Sequence, residues 1–400
     1  MSSDAATAVW LMTAEAVRER AHGILALAEA DDAPHFTYHP ERLAPTVDYV
    51  LAVIRANYPD LAIPFHSRWR HFTVGGVDRW AMLQRQIVGE SREDIARIGF
   101  DLAVTSVLLD AGAGAAWRYR EAGGGTYARS EGLGVASFHL FRGGLFANDA
   151  GRPLRAEAAA LRSLDGDRLT ALMQVAPDNN LVGIEGRVLL LRRLGDALAA
   201  QPELFGADGR IGNLFDHLRA QATDGSLPAP AILTALLRGL GTIWPGRHSL
   251  GGVNLGDVWQ HRSGLVPLHK LSQWLTYSLI EPLAAGGITV TEIDGLTGLA
   301  EYRNGGLFLD LGVIVPRDPE LASRVLAVDA EPVVEWRALT IALLDRVAEG
   351  VRDALHMDAR QLPLAKVLEG GTWAAGRRIA GDKRPSGPPP LTIASDGTVF

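Results

Sequence analysis

Residues 264 to 312, GLVPLHKLSQWLTYSLIEPLAAGGITVTEIDGLTGLAEYRNGGLFLDLG, gather ionisable side chains beside glycines in an otherwise apolar run. A lysine and two carboxylates held in a partly apolar environment can be tuned by burial and by one another. That is what acid, base or charge-stabilising roles require. Lys270, Asp294 and Glu301 are the candidates, with Glu301 followed directly by Tyr302, Arg303 and Asn304. Pro267 is placed for the first position of a helix, and Leu268, Leu271, Leu275 and Leu279 recur at helical spacing until Pro282 and the Gly286-Gly287 pair. Lys270, Gln273, Trp274, Tyr277 and Glu281 then share the neighbouring face of that helix. The competing reading is a structural ion pair, which perturbs ionisation in the same way.

A second group is PFHSRWRHF, residues 64 to 72. If extended, it puts His66, Arg68 and Arg70 on one face suited to a phosphate or carboxylate; if helical, it stacks His66 on Arg70. Arginines pairing acidic helices around a buried Trp69 are the structural alternative. WRYRE at 117 to 121 leads into GGGTYARSEGLG, where Gly123, Gly125 and Ala128 fall at dinucleotide-fingerprint spacing. No clean strand or βαβ pattern accompanies them, so the stretch reads as a ligand or lid loop. Neither the pair His66 and His71 nor the pair His261 and His269 has the i,i+4 spacing of a helical zinc motif, and no metal site is expected. The chain also has no P-loop and no G-x-S-x-G elbow. Asp178-Asn179-Asn180 reads as helix capping, and Glu335-Trp336-Arg337 as a salt-bridged helix face. Glycines inside the apparent helix LEGGTWAAGRRIA, residues 368 to 380, indicate close packing or a kink beside something bound.

The elements that must position these groups are mostly helices. Helical periodicity covers 13–30, 45–57, 91–110, 154–174, 186–201, 229–240, 267–280, 333–355 and 363–379, with Ser91 and Asp94 forming a capping signal. Strand signals are few and short, at 287–293, 307–315 and 391–394. The expected class is therefore mainly α. Four hundred residues exceed one usual hydrophobic core. Residues 1–255 are expected to form an N-terminal helical lobe holding a phosphate-binding loop, 256–380 a helical core carrying the reactive groups, and 381–400 a proline-rich docking tail.

Composition narrows the function. Zero cysteines exclude thiolate nucleophiles and disulfides, leaving oxygen or nitrogen as the reacting atom. A net charge of −7 argues against nucleic-acid binding, and no uninterrupted apolar stretch reaches the length of a membrane span. The N-terminus carries acidic residues where a secretory signal would be basic, so a cytoplasmic enzyme is expected.

Beyond these residue patterns, the strings IPFHSRWRHF, GLVPLHKLSQWLTYSLIEPL, IDGLTGLAEYRNGGLFLDLGV and EGGTWAAGRRIA resemble the bacterial and fungal uracil-catabolism proteins of the ring-opening URC pathway, over nearly the whole chain. A more distant resemblance covers about fifty residues. A helix beginning H-K, followed by I-D-x-L-T-x-x-A-[DE]-Y-R, is similar to the queuosine-salvage N-glycosylases, helical proteins related to DNA glycosylases that cleave a base from a ribose 5-phosphate. That resemblance implies a DNA-glycosylase-like core from 256 to 380. It implies that Lys270 and Glu301 lie at the active site, and it matches Asp294 to the aspartate of I-D-x-L-T. Here the string reads A-E-Y-R, one methylene longer than A-D-Y-R. Together the two resemblances imply a metal-independent hydrolase without cofactor, cleaving the N-ribosyl bond of ribosylurea, as its 5-phosphate, to urea and ribose phosphate. Glu301, Lys270 and Asp294 are then the expected catalytic residues. His66, Arg68, Arg70, His269, Trp274, Tyr302 and Arg303 are expected to bind a ribosyl or ribonucleotide-derived small molecule. The alternatives are a C–N hydrolase acting on an opened pyrimidine ureido group and a non-catalytic nucleotide-binding partner.

Overall fold

The computed structural model describes residues 3–244 and 248–394. Helices dominate, and the strands are two to four residues long, each paired with a single partner. The fold is mainly α. Two compact units form, the first from residues 3–66, 248–273 and 292–394, the second from 67–244 and 274–291. The division expected above follows chain order, whereas each unit joins stretches far apart in sequence.

The first unit is built around the helix Glu331–Leu355, buried without a break from Val333 to Leu344. A helix apolar on nearly all sides must be surrounded, and Ala14–Glu29, Leu43–Asn57 and Tyr302–Asp310 pack against it. Pro332 sits in its first turn, where no N–H is needed, and His356 closes it with a left-handed φ of 53°. Phe36–Tyr38 runs antiparallel to Ile314–Pro316, and Val258–His261 forms a hairpin with Gly264–Pro267. The tail docks through Thr392–Ala394, parallel to Val325–Ala327; residues 395–400 of the expected docking tail lie outside the described residues. So do residues 245–247 of the glycine-rich connection beginning at Gly241.

In the second unit the central helix is Arg92–Leu108, buried continuously from Ile98. Its start is the expected cap, with the Asp94 N–H donating to Ser91 Oγ at 3.0 Å. Arg129–Arg142 and Leu214–Gln221 pack on it, and Ser226–Pro228 lies parallel to Thr289–Thr291.

Several sequence expectations need correction. Pro267 ends a hairpin strand, and the helix starts at Lys270 and runs to Ala285 with Pro282 inside it. Pro282 lies against Gly99, where a Cβ would come within 2.9 Å of the proline's own. The segment 154–174 is two short helices, because Asp165 caps a new one at Gly166 by accepting the Asp167 N–H at 2.9 Å. Residues 307–310 are helical, not strand: the cap at Glu301 starts the helix Tyr302–Asp310 and overrides local β preference. The glycine-rich loop after WRYRE closes an antiparallel hairpin of Arg118–Arg120 with Thr126–Ala128. Asn179 caps no helix. Its amide pairs with both backbone groups of Arg118, at 2.7 and 2.9 Å, in the manner of a neighbouring strand. Glu335 and Arg337 form no intrahelical face either: one Glu335 oxygen accepts the His35 and Phe36 N–H groups at 3.1 and 2.9 Å, and Arg337 pairs with Asp257 at 2.8 Å.

Candidate active site

Glu301 is the cap of the helix Tyr302–Asp310 and is 8% exposed. The Arg303 N–H donates to one of its carboxylate oxygens at 2.7 Å and the Asn304 N–H to the other at 2.6 Å. Helix caps are usually Ser, Thr, Asp or Asn; glutamate reaches the same amides with its extra methylene. Burial raises the Glu301 pKa above the ordinary carboxylate value, against the two amide hydrogen bonds and the nearby charges of Lys270 and His66. A carboxylate destabilised by burial yet kept at a helix N-terminus is poised to answer a positive charge developing beside it.

Lys270 opens its helix and is 8% exposed. Its N–H donates to Asp257 Oδ2 at 2.9 Å. Asp257 is fixed in turn by Arg337, whose two Nη groups reach its two oxygens at 2.8 and 2.9 Å, and by Trp259 Nε1 at 2.5 Å. Burial works to raise the Asp257 pKa, but the Arg337 guanidinium and these hydrogen bonds hold it below the usual value. The preceding residue, His269, has a φ of 45°, uncommon for a side chain with a Cβ, and donates from Nε2 to the Leu11 carbonyl at 2.8 Å. Burial lowers its pKa and favours the neutral ring. His269 therefore anchors the turn that aims Lys270.

His66, also buried, donates from Nδ1 to Glu369 at 2.7 Å. Glu369 stands in a π-helical turn, Leu368–Thr372, between Leu364–Val367 and Trp373–Lys383. Such turns commonly mark functional sites. The glycines flagged in this stretch are packing positions: a Cβ on Gly376 would stand 2.0 Å from the Arg303 carbonyl, and one on Gly371 2.6 Å from Val50. Each of the three elements also carries a buried polar atom with no hydrogen-bond partner: Gln273 Nε2 three residues after Lys270, Asn304 Oδ1 three residues after Glu301, and Thr372 Oγ1 in the π turn. Buried groups left unpaired are costly, and such groups are where a bound molecule would be held.

The first unit thus contains Glu301, Lys270, His66 and His269, together with Tyr302 and Arg303. Arg303 stacks over the Tyr302 ring at 4.9 Å and donates to the Gly387 carbonyl. Asp294 is in the same unit, but its oxygens are taken by Arg352 and by the Leu364 N–H at 2.6 Å, the geometry of an anchor for the segment at 364. Arg68, Arg70 and Trp274 belong to the second unit. There residues 68–72 form a single 3-10 turn. Arg68 is fully buried, pairs with Asp110 at 3.0 Å, donates to Ser106 Oγ and lies over Trp274 at 5.6 Å. Arg70 pairs with Glu281 at 2.6 Å. Both arginines are charge-neutralised by a carboxylate. Sequence reasoning missed Asp257 and Glu369. It singled out Arg337 and the glycines beside Glu369, but no local signal joins either to its partner. Among the described residues no three His, Asp or Glu side chains are arranged to hold a metal ion, and no helix is long and apolar enough to cross a membrane.

The family described as Protein of unknown function (DUF1688) matches residues 10–400. Protein urg3 of Schizosaccharomyces pombe is 39% identical over 408 residues, covering 98% of this chain and 99% of that protein. Uracil catabolism protein 4 of Lachancea kluyveri is 38% identical over 427 residues, covering 96% and 97% respectively.

Proposed function

Starting from the fact that the chain belongs to the family described as Protein of unknown function (DUF1688), we propose that it acts in uracil catabolism as an N-glycosidase of ribosylurea, in its 5-phosphate form. Water adds across the bond between C1′ and the urea nitrogen, releasing urea and ribose 5-phosphate. The observation that carries this reading is Glu301, a buried carboxylate held by two amides at a helix N-terminus with the charges of Lys270 and His66 close by.

Cleavage of an N-glycosidic bond builds positive charge at C1′. A preorganised carboxylate in a site of low dielectric stabilises that charge and orients the attacking water. Lys270 opposes the effect of burial on Glu301 and favours its ionised form. His66, oriented by Glu369, and the unpaired polar atoms of Gln273, Asn304 and Thr372 contact the substrate. The similarity of the IDGLTGLAEYR segment to the queuosine-salvage N-glycosylases supports the same roles.

The test is to incubate the purified chain with synthetic ribosylurea, with and without the 5-phosphate, and to measure urea. Urea release with loss of the ribosyl bond is expected, faster with the phosphate. Ammonia with an intact N-ribosyl bond would replace this reading with a ureido hydrolase. Ligand-induced stabilisation without turnover would replace it with a binding role.

A further inference from the structure

The second unit contains a half-open cavity of about 290 Å³. Its walls include the indoles of Trp69 and Trp80, whose rings meet at 5.0 Å and 56°, together with Ile95 and Pro282. Trp69 Nε1 is spent on the Ser278 carbonyl at 2.7 Å, so this residue offers ring surface rather than a donor. The charged lining residues are Arg70, Glu281 and Asp78. Arg70 donates from Nη2 to Glu281 Oε1 at 2.6 Å, but its Nε is buried with no partner. One oxygen of Asp78 accepts the Ala81 N–H at 2.9 Å, and a carboxylate has further acceptor capacity.

We propose that this cavity binds a small, neutral, planar heterocycle carrying a carbonyl next to a ring N–H, a cyclic amide. Three features converge on that class. The volume lies at the lower end of small-molecule sites, about 300 Å³ upward, which suits a single ring rather than a nucleotide. The indole walls favour a flat π surface. The polar lining selects against both signs of charge: two carboxylates against one guanidinium disfavour an anion, while the unpartnered Arg70 Nε requires an acceptor that a simple cation lacks. An amide ring meets both demands, its carbonyl accepting from Arg70 Nε and its N–H donating to a carboxylate. This inference is independent of the role given to Glu301.

The probe is 2-pyridone, titrated against the full chain by ligand-observed NMR, beside N-methyl-2-pyridone, benzoate and benzylammonium. Saturable binding of 2-pyridone is expected, with the N-methyl compound about tenfold weaker for want of its N–H. Arg70→Met and Trp80→Ala, checked for an unchanged unfolding midpoint, should each weaken 2-pyridone by about the same factor. Glu301→Gln should bind it normally, so the two readings fail separately. Absence of saturable binding, equal binding of the N-methyl compound, or tighter binding of benzoate or benzylammonium would each overturn the proposal.

Discussion

Glu301 caps a helix and is the carboxylate proposed to act on the substrate, and its substitution tests both. Glu301→Gln keeps volume and one acceptor oxygen but removes the charge. Loss of one capping interaction should cost about 1 kcal/mol of stability. The kcat for urea release should fall by at least roughly a thousandfold with KM little changed, because the lost interaction belongs to the transition state. Asp294→Asn is the control. Its carboxylate ties Arg352 and the Leu364 N–H, so it should lose stability and keep turnover per folded molecule. Near-normal urea release by folded Glu301→Gln would reverse the assignment. Lys270 gives a second test through pH. If the acid limb of kcat/KM reports ionisation of Glu301, it lies above the ordinary carboxylate range because burial raises that pKa. Lys270 pulls the value down, so Lys270→Met should move the limb to higher pH. A limb that stays in place would mean that Lys270 does not act through Glu301.

At the scale of elements, the helices were legible wherever caps and periodicity agreed, as at Ser91 and along the long helix ending at Leu355. The hairpin Val258–His261 with Gly264–Pro267 was not, since Pro267 satisfies a helix start as readily as a strand end. The cap at Glu301 was hidden because glutamate is an unusual residue there. Asp257 and Arg337 stand 80 residues apart, beyond any local pattern. Gly376 offers a test of how these elements fix the site. Its helix, Trp373–Lys383, crosses Tyr302–Asp310 where a Cβ would lie 2.0 Å from the Arg303 carbonyl. Gly376→Ala should therefore force the two helices apart, cost about 1–3 kcal/mol in thermal or urea unfolding, and lower kcat without touching a reacting group. Unchanged stability and kcat would show that the contact gives way without moving Glu301.

At the scale of the whole molecule, composition and periodicity bounded the reading: a chain without thiols, and a mainly helical one. The assembly of each unit from separated stretches was out of reach, because long-range pairing leaves no periodic trace in sequence. That assembly has a consequence for vectorial synthesis. Once residue 291 has left the ribosome, every described stretch of the second unit has been made. Residues 3–66 by contrast must wait for 292–394, including the Glu331–Leu355 helix on which they pack. At about 5–20 residues per second, that leaves the apolar faces of Ala14–Glu29 and Leu43–Asn57 uncovered for roughly 10–60 s. The nascent chain is thus exposed to chaperones and proteases across residues 14–57 during that interval, and the unit that holds Lys270, Glu301 and His66 closes only once 292–394 have been made.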